Sequence, residues 1–139
     1  MILLDTSGLF AALNDRQPEH TACRLVLDAE SPPLILSPFV LAELDYFIER
    51  RVGVEAELAL LEDVARGAYD LAEVTGADLE QAAAVIERYR DLKIGLADAS
   101  IVVLAGRHRT NRVLTLDERH FQALTTPEGK SFVVLPADA

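Results

Sequence analysis

Apolar residues fall along this chain in short unbroken runs, separated by longer stretches where they recur every three or four positions. The short runs fit strands buried on both faces, and the recurring pattern fits helices packed on one side. Met1 to Leu4 predicts the first strand, and Leu9 to Leu13 a short helix capped by Thr6 or Ser7. After a polar break at 14–17, Pro18 opens a helix to about Glu30, with Ala22, Leu25, Val26 and Ala29 as its inward stripe. Leu34 to Ser37 predicts a second strand, and Ser37-Pro38 begins a helix running to about Arg51. Gly53 separates it from a helix over 54–66, closed by Gly67. Tyr69 to Val74 predicts a third strand. Thr75 caps a helix from Ala77 to about Asp91, with Leu79, Ala82, Ala83 and Ile86 inward. A helix over the run from Gly95 ends near Arg109. Arg112 to Leu116 predicts a strand, Glu118 to Leu124 a short helix, and Ser131 to Leu135 the last strand. Five short apolar strands divided by helices predict a three-layer α/β/α sandwich around a parallel sheet. Ligands of such sheets sit beyond the carboxyl ends of the strands, near a topological switch point.

The length, 139 residues, suits one domain over 1–139. No apolar run approaches the roughly 20 residues that span a bilayer. An acid at position 5 and no basic residue before the first apolar run argue against a signal peptide. The single cysteine, Cys23, excludes an internal disulfide and a cysteine zinc site, and fits a reducing cytoplasm. The net charge of −10, from 23 acids against 13 Lys and Arg, argues against a non-specific nucleic-acid binder. It also leaves room for acids gathered at a cation site.

Asp98 is the first candidate for chemistry. It stands in a helix apolar nearly all round, on one face with Ile101, Val102 and Ala105, and no Lys or Arg lies in that run. A buried carboxylate needs a charge partner, a metal or a proton. Asp5 directly follows the first strand. Glu43 is the odd acid on an apolar helix flank, with Phe39, Val40 and Phe47 around it, whereas Asp45 and Glu49 belong to the solvated face. Asp117 follows the fourth strand, where an N-cap serves as well as a functional role. Two carboxylates about 5 Å apart repel by roughly 3 kcal/mol at an effective dielectric of 20. A divalent cation relieves that repulsion, and oxygen ligands without a His or Cys cluster suit Mg2+ or Mn2+. Metal-assisted phosphodiester hydrolysis is the reaction class this reaches. Residue chemistry alone does not choose RNA over DNA or a small phosphate ester.

Four segments together resemble the PIN-domain family, and within it the VapC-type toxins: Leu-Asp-Thr-Ser-Gly-Leu at 4–9, Leu-Ala-Glu-Leu at 41–44, Leu-Ala-Asp-Ala at 96–99 and Thr-Leu-Asp at 115–117. The resemblance implies strand order 3-2-1-4-5 and an endoribonuclease dependent on Mg2+ or Mn2+. It implies that Asp5, Glu43 and Asp98 hold the metal directly or through water, with Asp117 as a more variable fourth acid. Thr6 and Thr115 become supporting hydroxyls. It further implies homodimers, structured RNA such as tRNA as substrate, and a cognate antitoxin as partner in a type II toxin–antitoxin system.

Nine cations (Arg50, Arg51, Arg88, Arg90, Lys93, Arg107, Arg109, Arg112 and Arg119) are candidates for a basic rim. The histidines, His20, His108 and His120, share no ligand spacing and read as surface residues. Two alternatives stand beside the toxin reading. One is a catalytically silent PIN-like module that binds a protein partner. The other is a different Mg-dependent phosphohydrolase, for which Ser7 stands where a dehalogenase-type phosphatase needs a second Asp.

Overall fold

A computed structural model describes residues 1–139. Five parallel strands form one sheet: β1 (Ile2–Leu4), β2 (Leu34–Leu36), β3 (Asp70–Leu71), β4 (Arg112–Leu114) and β5 (Val133–Leu135), in the order β3-β2-β1-β4-β5. Leu3 of β1 pairs with Ile35 on one side and Val113 on the other, so β1 is central and all three of its residues are buried. Seven α-helices connect the strands: α1 (Thr6–Leu13), α2 (His20–Ala29), α3 (Pro38–Arg51), α4 (Val54–Ala65), α5 (Gly76–Arg88), α6 (Leu96–His108) and α7 (Glu118–Ala123). The chain crosses from β1 to β3 in one direction and returns through β4 to β5 in the other. Right-handed crossovers therefore set α1–α4 on one face and α5–α7 on the opposite face. The expected α/β sandwich and strand order are both present.

The core is a single cluster of 32 buried apolar residues, and α6 contributes the longest stretch to it. Eight of the 13 residues of α6 are buried, which is why this helix lacks a polar face. It packs on α5, α3 and β1. Ser37 joins α6 to α3: its hydroxyl accepts the Phe39 amide as the α3 cap and lies 2.7 Å from the Ser100 hydroxyl of α6. Ser100 in turn donates to the Ala97 carbonyl at 2.6 Å. Both serines are buried, so the polar pair fixes one helix start against the other.

Several local expectations need correction. The third strand is Asp70–Leu71 rather than 69–74. It is an exposed edge that pairs with β2 alone, and little ladder forms without a second neighbour. The first helix starts at Thr6, which makes Asp5 its cap position in place of Thr6 or Ser7. The inward residues of α2 are Cys23 and Leu27, while Leu25 is 66% exposed. In α5 only Ala82 is buried, and Leu79 and Ala83 face outward. That helix also stops at Arg88, followed by a 3₁₀ turn over Arg90–Leu92. Thr75 does cap α5, in a reciprocal box in which Asp78 accepts the Thr75 amide at 2.9 Å. No helix is long and apolar enough to cross a membrane.

Candidate active site

The carboxyl ends of β1 and β4, on either side of the point where the chain changes direction across the sheet, open into a cavity of about 390 Å³. Asp5, Glu43, Asp98 and Asp117 all line it, so four chain segments bring their acids to one place. Each acid is held differently.

Asp5 sits at the cap position of α1 with extended backbone, yet its side chain makes no cap hydrogen bond. It is left for the cavity instead. Thr115 Oγ1 donates to Asp5 Oδ2 at 2.6 Å, and Ser7 Oγ lies 3.4 Å from the same oxygen. Only 5% of Asp5 is exposed. Burial pushes its carboxyl above the usual range, and the neighbouring charges of Asp117 and Glu43 push the same way against the Thr115 bond.

Asp98 lies in the first turn of α6, half-buried rather than deep within the core. Burial first, then the charge of Asp5, raises its carboxyl to about 6. Glu43 projects from α3 and is exposed, and Thr6 Oγ1 donates to its Oε1 at 2.7 Å. Asp117 is an N-cap, as one of its two sequence readings expected, and it also lines the cavity. Its Oδ1 accepts the His120 amide at 3.1 Å and so starts α7, while its Oδ2 lies 2.9 Å from His120 Nδ1.

Two residues enter the site that sequence reasoning left out. His120 is not a surface residue: its Nδ1 lies 3.1 Å from Asp98 Oδ2 as well as beside Asp117. The available signal was the three-residue spacing from Asp117, which sets both side chains on one face of a helical turn. Ser7 links the acids to the sheet, since its hydroxyl accepts the Leu116 amide at 2.9 Å and lies 3.3 Å from Thr115 Oγ1. His20 also departs from the surface reading, with Nδ1 2.8 Å from the Ala11 carbonyl.

The proposed basic rim shrinks to one residue. Arg107 is bonded to Asp78, Arg90 to Glu87 and Arg112 to Glu30, all away from the cavity. Arg51 alone among the cations lines it. Its guanidinium stands 5.1 Å from the Phe47 ring centre and 5.7 Å from that of Phe10, and it forms no ion pair. None of the four acids is therefore ion-paired to a Lys or Arg.

The donor chemistry fits a divalent cation. Ligand atoms of Asp98, Asp117 and His120 lie within 4.8 Å of one another, and burial together with neighbouring carboxylates holds Asp98 and the adjacent Asp5 above their ordinary range.

The family model described as "PIN domain" matches residues 2–125. The chain belongs to the PIN-domain family. This PIN domain is 47% identical over 135 residues to Ribonuclease VapC26 of Mycobacterium tuberculosis, an alignment covering 97% of this chain and all of that protein. Solved structures share the fold at lower identity. VapC20 of Mycobacterium tuberculosis, described as a sarcin-ricin-loop-cleaving toxin, superposes with a TM-score of 0.78 at 22% identity, over 84% of this chain and 90% of that one. The DNA-bound VapBC complex from Salmonella typhimurium gives 0.66 at 22% identity, over 96% of this chain and 98% of that one.

Proposed function

We propose that this PIN domain, acting as a single domain, is the toxin of a type II toxin–antitoxin pair and cleaves RNA internally with Mg2+ or Mn2+ in the cytoplasm. The observation that carries the reading is the convergence of Asp5, Glu43, Asp98 and Asp117 on one cavity, none of them ion-paired to a Lys or Arg. The likeness to a ribonuclease over nearly the whole chain supports RNA as the substrate. The VapBC complexes among the structural neighbours support an antitoxin partner, and the family resemblance supports a homodimer.

Asp5, Glu43 and Asp98 would hold the metal directly or through water, with Asp117 as the fourth acid. When bound, the cation supplies Lewis acidity to a phosphodiester and makes a water more acidic. Thr115 and Thr6 orient Asp5 and Glu43 by donating to one oxygen of each, which leaves the other oxygen for the site. The exposed Glu43 carboxylate takes a proton from the attacking water. As the new O–P bond forms in line, the P–O3′ bond breaks, and the leaving oxygen takes its proton from solvent. The products carry 5′-phosphate and 3′-hydroxyl ends.

Purified protein incubated with a panel of structured and unstructured RNAs, with Mg2+ or Mn2+, is expected to cut at internal sites and to stop when EDTA is added. Sequencing the fragments should show 5′-phosphates. A protein that binds metal and RNA without cutting would instead point to the catalytically silent module.

Arg51 supplies the one positive charge at the cavity wall, and we assign it to a backbone phosphate of the RNA. An unpaired guanidinium resting on two rings keeps its donors free along its edge. Arg51→Ala should raise KM for RNA roughly tenfold with little change in kcat, as expected for a lost charge-assisted hydrogen bond. The slope of log affinity against log salt should also shrink by about 0.7 to 1. An unchanged slope would remove Arg51 from the RNA contact.

A further inference from the structure

We propose that His120 binds the metal directly through Nδ1, and that this nitrogen ligand biases the site toward Mn2+ over Mg2+. The inference rests on the nuclease reading above and deepens it. Nδ1 stands 3.1 Å from Asp98 Oδ2 and 2.9 Å from Asp117 Oδ2. A protonated Nδ1 shares its one N–H between the two carboxylate oxygens. In the other tautomer Nδ1 carries a lone pair, and three lone-pair donors converge on one gap. A cation there would take all three groups as ligands.

The spacing agrees with that arrangement. Neighbouring ligands on an octahedral ion with bonds of roughly 2.1 Å stand about 3 Å apart, close to both distances found here. The ring is also well anchored. It belongs to the first turn of α7, which Asp117 caps, and the next residue, Phe121, is wholly buried. Asp117 and His120 thus keep their relative position through the backbone of one turn.

Ligand type then separates the metals. Carboxylates and water suit magnesium, whereas imidazole is a better ligand for transition metals. A site of carboxylates alone discriminates little between Mg2+ and Mn2+. Adding one imidazole favours Mn2+. Neither of the other histidines lines the cavity, so a nitrogen signal from bound metal has one assignable source.

The test loads wild-type protein with Mn2+ and reads electron spin-echo modulation for coupling to a directly bound 14N nucleus. Coupling is expected in wild type and not in His120→Asn. Calorimetric titration should show Mn2+ affinity falling about tenfold or more in that variant, a loss of the size seen when metal-site residues are removed. Mg2+ affinity should change by less than about threefold. Bound Mn2+ without nitrogen coupling in wild type overturns the inference and leaves the nuclease reading standing. Coupling that persists in His120→Asn overturns it as well. If wild type binds no Mn2+, the inference falls, and cleavage of RNA with Mg2+ decides whether the nuclease reading falls with it.

Discussion

Asp98→Asn is expected to cut RNA cleavage by about 100-fold or more, because it removes a carboxylate proposed above to hold the metal. In the absence of metal it is expected to do the opposite to the fold and stabilise it. Burial and the charge of Asp5 hold the Asp98 carboxyl at about 6, against an ordinary value of 3.8. Between those two values the folded chain keeps a proton that the unfolded chain has released. The stability contributed by Asp98 is therefore fully present below 3.8 and is lost as pH rises through 6. The loss is at most about 3 kcal/mol for a shift of roughly two units. Its side chain is only 16% exposed, so solvent screening reduces this little. Asparagine carries no charge at any pH and escapes the loss. In EDTA, wild type should melt several degrees lower at pH 8 than at pH 5, and Asp98→Asn should melt above wild type at pH 8. Saturating Mn2+ should narrow or reverse that gap, since wild type alone regains a full ligand set. A variant that melts no higher than wild type in EDTA at pH 8 would show that Asp98 is not strained by its surroundings.

Gly8→Ala should damage the fold itself. Gly8 lies in α1 against the backbone of β4, where an added Cβ would stand 2.5 Å from the Leu114 carbonyl oxygen and 2.6 Å from its carbon. That backbone cannot withdraw, because β4 is paired with β1 on one side and β5 on the other. The Leu114 carbonyl also accepts the Asp5 amide at 3.0 Å. Either α1 or the strand must shift, at a cost of about 3 kcal/mol, which corresponds to a fall of roughly 10 °C in melting temperature. Thr6, Ser7 and Asp5 would move with it. Gly76→Ala provides the contrast: nothing stands within 4 Å of its added Cβ, and Ala is the better helix former. Thermal melts of the two variants should move in opposite directions. Equal melting of Gly8→Ala and wild type would mean that α1 is not seated on β4 this closely.

The strand order was legible only through the family resemblance, whereas the α/β class followed from the alternation of short apolar runs with helical stretches. The acids were legible for physical reasons. Asp98 interrupts an apolar helix, and Asp5 and Asp117 terminate apolar strands, so each stands out against its own background. His120 had no such background, being one polar residue in a short polar helix. The three-residue spacing from Asp117 places it on that side of the turn, and the distance to Asp98, 22 residues away in sequence, shows that it reaches the other acid. The inward face of α2 lies at one edge of a wide apolar arc, at Cys23 and Leu27, and in α5 apolar residues surround the helix, so periodicity does not single out the buried positions. Leu25 and Leu79 read as core positions and are exposed. The basic rim is absent for a different reason: Arg50, Arg90, Arg107 and Arg112 have acidic partners elsewhere on the surface and only Arg51 lines the cavity, which a sequence does not reveal.

The hydroxyls around the acids have a consequence for selectivity between states of the site. Thr6, Ser7 and Thr115 fix the carboxylates by hydrogen bonds while adding no charge. A lysine or arginine in the same positions would orient them equally well, but would also neutralise them. The acids would then be neutralised from within the chain, and an incoming cation would have to displace a tethered competitor. With neutral groups as the scaffold, direction is fixed and the negative charge of the acids stays available to a cation.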